Sequence, residues 1–95
     1  MDAKEAYQKK LEAELKVWDA ELELWKAKAE KATAEARFQL HQQLAGVNAR
    51  RNVVRQKLEQ VKEAGGEAWE GLKTGLEAAW EEFKSAYEKA AAKFK

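Results

Sequence analysis

Apolar residues recur at steps of three and four along most of the chain: Leu11, Leu15, Trp18, Leu22, Trp25, Ala29, Ala32, Ala36, Leu40, Leu44 and Val47. Charged and amide side chains fill most positions between them. This spacing draws one apolar stripe along an α-helix and reads as a coiled-coil seam, with 36-40-44 as a stutter that locally unwinds it. The series resumes past Arg51 at Val54, Leu58 and Val61. Asp2 is suited to cap the start, with Glu5 as the reciprocal half of a capping box. The first clear stop is Ala64-Gly65-Gly66, with Lys62 in the last turn and Gly65 able to take the left-handed cap conformation. Glu67 and Glu70 then favour a new helix start. Gly46 is a weaker break, because one glycine costs a helix only about 1 kcal/mol relative to alanine. The pattern therefore predicts an all-α single domain over residues 1–95. It consists of a long helix over about 3–63, a turn at 64–66, and a shorter amphipathic helix over about 67–94 folded back as a hairpin. At ~1.5 Å per residue the long helix would extend on the order of 90 Å.

The shorter helix carries an eleven-residue repeat. EAWEGLKTGLE is followed directly by AAWEEFKSAYE, sharing Ala68/Ala79, Trp69/Trp80, Glu70/Glu81, Lys73/Lys84 and Glu77/Glu88. Eleven residues make three turns at 3.67 per turn, so the stripe stays almost straight. It comprises Trp69, Leu72, Leu76, Trp80, Phe83, Tyr87, Ala90 and Phe94, flanked by Lys73, Lys84 and Lys95. The pairs Lys73–Glu77 and Lys84–Glu88 are spaced i, i+4 and keep the outer face soluble. The stripe suits a core face against another helix. It also suits a membrane-surface helix with aromatics at the lipid boundary. Six acids against five lysines between 67 and 95 favour the first, since a helix for anionic lipid usually carries a basic excess.

A rod of that length cannot bury its own stripe. The second helix covers about the last half, leaving Trp18, Leu22 and Trp25 facing water. Each large apolar side chain is worth ~1.5–3 kcal/mol when buried, so an identical chain is the simplest partner. The residues Leu11 to Leu40 of the series above are then the expected oligomer interface. Bulky Trp18, Leu22 and Trp25 would pair best with the small Ala29, Ala32 and Ala36 of another copy, which favours antiparallel pairing. Val17, Ala20, Leu24, Ala27, Ala34, Phe38 and Ala45 form a second apolar series on the opposite face. Two such faces suggest a helix sandwiched in a bundle, although alanine is also a good surface helix residue.

Composition sharpens this picture. Proline and cysteine are absent and there are only five glycines, which supports helix and excludes a disulfide framework or thiolate metal site. The net charge of +1 advertises no partner. The start, MDAKEAYQKK, has no apolar core of a signal peptide, and no run approaches the ~20 apolar residues of a bilayer span. A soluble, cytoplasmic protein is expected.

Candidate chemistry is sparse. His41 is the only histidine, without the Glu-x-x-His pattern of a helical metal site, so no metal or cofactor is expected. No acid lies between Glu35 and Glu59, a window holding Arg37, Arg50, Arg51, Arg55 and Lys57. A basic stretch can bind phosphates, but these residues form no continuous face with interleaved aromatics. Pairing with acids such as Glu12, Glu14, Asp19, Glu21 and Glu23 is the simpler expectation, against nucleic-acid binding. Arg51 sits in the seam, either setting register or packing its stem while its head snorkels out. Gly71 and Gly75 allow close helix approach. No nucleophile stands beside a base and no glycine loop cradles phosphate, so no enzymatic activity is expected.

The eleven-residue units rich in Ala, Lys and Glu resemble those of apolipoproteins and late-embryogenesis-abundant proteins. AYQKKLEAELKVWDAEL and EAWEGLKTGLEAAWEEFKSAYEKAAAKF resemble small bacterial coiled-coil proteins grouped as stress-associated. The resemblance implies a helical, oligomeric or surface-associating protein without catalytic residues. The expected function is self-assembly or scaffolding, linked to stress. The alternative is a peripheral lipid- or apolar-surface-binding protein that uses residues 67–94.

Overall fold

The computed structural model describes residues 2–94 and is all-helical among them; Lys95, expected on the flank of the stripe, lies outside the described residues. There are three helices rather than two: α1 over Ala3–Glu30, α2 over Ala34–Glu63 and α3 over Ala68–Phe94. The predicted helix over 3–63 is broken at Lys31-Ala32-Thr33. The molecule is a three-helix rod of 52 × 20 × 18 Å, little more than half the length expected of the unbroken helix.

The break needs neither glycine nor proline. Lys31 closes α1 with its N–H on the Lys28 and Ala29 carbonyls. Thr33 is extended (φ −61°, ψ 160°), and its hydroxyl accepts from the Ala36 N–H at 3.3 Å, capping α2. Glu35 in the first turn favours the positive end of the helix dipole. Folding back here lets the apolar stripes of all three helices meet. The expected stutter at 36-40-44 is instead the first turns of α2.

The other boundaries lie closer to expectation. Asp2 accepts from the Glu5 N–H at 2.8 Å, the N-terminal cap anticipated from the sequence. Gly46 lies inside α2 without breaking it. At the second turn the left-handed residue is Gly66 (φ +57°), not Gly65. Ala64 leaves α2 in an extended conformation and α3 begins at Ala68, one residue later than expected.

Two lysines of α1 tie off the C-termini of the other helices. Lys4 Nζ donates to the Ala64 carbonyl at 2.9 Å, and Lys28 Nζ donates to the Phe94 carbonyl at 2.8 Å. A cation against unpaired carbonyls is favourable at the negative end of a helix. The bonds also fix the topology: α2 runs antiparallel to its neighbours, and α1 lies parallel to α3.

Candidate functional site

The core between α1 and α3 is an aromatic ladder. Tyr7 meets Trp69 with ring centroids 5.9 Å apart, Trp18 stacks on Trp80 at 5.3 Å, and Trp25 stacks on Tyr87 at 4.7 Å. Each of these pairs is separated by 62 positions in the sequence. Tyr7, Trp18 and Trp25 are spaced by eleven and seven residues, and Trp69, Trp80 and Tyr87 repeat that spacing. Two parallel helices with equal aromatic spacing bring every ring level with a mate. Trp18 also packs on Phe83 at 4.7 Å and on Tyr87 at 4.5 Å, and Trp25 stacks on Phe94 at 5.0 Å. Offset aromatic contacts of this kind add about 0.5–1.5 kcal/mol each beyond area burial. The rings hold α1 and α3 apart at the backbone, while α3 lies closely against α2.

This arrangement accounts for the residues expected at an oligomer interface. Leu11, Leu15, Leu22, Trp25 and Ala29 are buried inside one chain, and Trp18, Ala32, Ala36 and Leu40 are half-buried. The bulky face of α1 is covered by α3 of its own chain, so the water-facing Trp18, Leu22 and Trp25 expected of a long rod do not occur. On the α3 stripe, Leu76, Phe83, Ala90 and Phe94 are buried, and Trp69, Trp80 and Tyr87 are half-buried. Leu72, in the second turn of α3, departs from the pattern at 37% exposure. Ala79, one position ahead of Trp80, is buried beside them.

Burial pushes the Tyr7 phenol above its ordinary value of 10.0, with Glu77 adding to the effect. The Tyr87 phenol is raised for the same reason, with Glu21 contributing. Lys73 Nζ sits 5.1 Å from the Tyr7 ring and 3.9 Å from Glu77, closing the end of the ladder with a cation.

The basic window of α2 forms no single face. Arg51 Nε approaches Asp19 Oδ1 of α1 to 2.7 Å. Both atoms are out of solvent and find no well-aligned hydrogen bond, so the contact is chiefly ionic. Arg51 thus takes the acid partner expected for it, within the chain. Lys62 similarly lies 3.6 Å from Glu12. Arg50 bonds its own helix at the Gly46 carbonyl, 3.3 Å away. His41 Nε2 is 3.3 Å from Glu30 Oε1, across the first turn. Among the described residues no three His, Cys, Asp or Glu side chains converge on a metal position.

Besides a smaller groove past Lys16 and Arg55, two surface grooves flank α2. One of about 560 Å³ lies against α1, with Asp19, Leu22, Lys26, Leu44 and Arg51 in its walls. The other, about 580 Å³, lies against α3 and includes Gly46, Arg50, Glu82 and Lys89. Ser85 lines the second groove together with Glu81, Glu82 and Lys89.

The second apolar series, now divided between α1 and α2, is left uncovered, as is Val53. Val17, Leu24 and Phe38 are 67%, 63% and 66% exposed. Ala20, Ala27, Ala34 and Ala45 are exposed with them. Gly71 and Gly75, spaced for close approach, have no backbone against them; only Lys57 Nζ comes near a Cβ built at Gly75. Among the described residues no helix is long and apolar enough to cross a membrane. No protein-family model matches the chain, and no curated protein or solved structure does either.

Proposed function

We propose that this protein is a non-enzymatic, self-assembling helical bundle with a scaffolding role, of the kind found among small stress-associated coiled-coil proteins. The observation that carries this reading is the pair of exposed apolar residues Val17 and Leu24 on a helix whose opposite face already fills the core. The bundle completes its own interior and still presents apolar side chains at heptad spacing. Isolated surface apolar residues are ordinary; a row at a/d spacing on one helix face is the pattern that coiled-coil partners share.

Sedimentation equilibrium over a dilution series tests the proposal. The expected result is a mass above the 10.8 kDa chain at high concentration, falling towards it on dilution. A single 10.8 kDa species across the micromolar to millimolar range would overturn it.

A further inference from the structure

We infer that the outer face of α1 is the assembly surface, and that it binds the same face of a second copy in parallel and in register. This rests on the self-assembly reading above and adds its surface and its orientation.

With Val17 and Leu24 at position a of a heptad, position d holds Ala6, Ala13, Ala20 and Ala27. All of these are exposed. The core residues Leu11, Leu15, Trp18, Leu22, Trp25 and Ala29 fall at b and f, on the far side of the same helix. A partner on the a/d face therefore displaces none of these core side chains; of the flanking residues, Lys28 already donates to the Phe94 carbonyl and would share its ammonium with the partner. Alanine at every d position lets two helix axes approach to about 8 Å, the close end of the packing range.

The flanking charges select the orientation. Lys9, Lys16 and Glu23 stand at g, and Glu14, Glu21 and Lys28 at e. In a parallel pair each g residue faces the e residue five positions further along the other helix. Lys9 then faces Glu14, Lys16 faces Glu21, and Glu23 faces Lys28 of the second copy. Every pair joins opposite signs, and two-fold symmetry repeats all three. An antiparallel pair sets g against g and e against e. Around its centre Lys16 meets Glu23 on one flank, but Glu14 meets Glu21 on the other and the two repel. Lys10, at position a, meets its own copy in the parallel pair; a single lysine at this position costs stability and fixes register.

The chain has no native cysteine, so single thiols report geometry directly. Leu24→Cys is expected to form a disulfide-linked dimer on mild oxidation. A mixture of Leu24→Cys and Ala13→Cys chains is expected to give like-with-like dimers. Antiparallel pairing would instead give 13-to-24 hybrids. Lys16→Glu turns two attractions into repulsions and is expected to weaken assembly about tenfold. Adding Glu21→Lys restores the opposite pairing and should recover it, with circular dichroism confirming that each variant folds. If the unaltered chain never assembles, the self-assembly reading falls and this one with it. If it assembles but gives 13-to-24 hybrids, or Lys16→Glu leaves assembly unmoved, only the parallel α1 contact is overturned.

Discussion

Tyr7 and Tyr87 show what single side chains contribute to this core. Both phenols ionise above their ordinary value of 10.0, because burial disfavours the charged form and a nearby carboxylate opposes it. The folded state therefore holds its phenolic protons more tightly than the unfolded chain does. That contribution is fully present below pH 10, and it is lost as pH rises through the higher folded values. Thermal melts at pH 9 and pH 11 should show a fall in stability that shrinks in the Tyr7→Phe, Tyr87→Phe double variant. An equal fall in the variant would assign the effect to other groups. Arg51 and Asp19 belong to the same scale. The sequence places Arg51 in the seam and suggests an acid for it, but only the fold decides that the acid is Asp19 of the same chain.

At the scale of elements, the helices themselves are legible in the sequence and one of their boundaries is not. Asp2, the Ala64-Gly65-Gly66 stop and the apolar periodicity mark the other ends, though the left-handed residue is Gly66 and not the expected Gly65. The turn at Lys31-Ala32-Thr33 carries no helix breaker, and its one signal is a threonine cap followed by Glu35. Local propensity there permits continuation; burying three stripes at once overrides it. Thr33→Ala should consequently cost about 1 kcal/mol, the usual worth of such a cap. Gly46→Ala should stabilise by about 0.5–1 kcal/mol, because the glycine is mid-helix and a Cβ there meets nothing within 4 Å. Urea denaturation of both variants checks the opposite signs. The aromatic ladder was equally available in advance: the spacing of Trp69, Trp80 and Tyr87 is present in Tyr7, Trp18 and Trp25. A repeat noticed within α3 alone conceals its match in α1, since sequence separation says nothing about which helices lie side by side.

For the whole molecule, moving one boundary changes what needs a partner. An unbroken rod would leave Trp18, Leu22 and Trp25 in water. The three-helix rod buries or half-buries them and leaves Val17, Leu24 and Phe38 outside instead. The same change bears on lipid binding, because the α3 stripe could meet a bilayer only if the bundle opened. Anionic vesicles should leave tryptophan emission and helicity unchanged at neutral pH. A blue shift with added helix would show that the bundle opens and favour a lipid-surface role for residues 67–94. The number of helices is odd, so Ala3 and Phe94 lie at opposite tips of a 52 Å body. Circularising the chain would take a bridge of about 15 extended residues, whereas gene-fused tandem copies would string out as beads along a line.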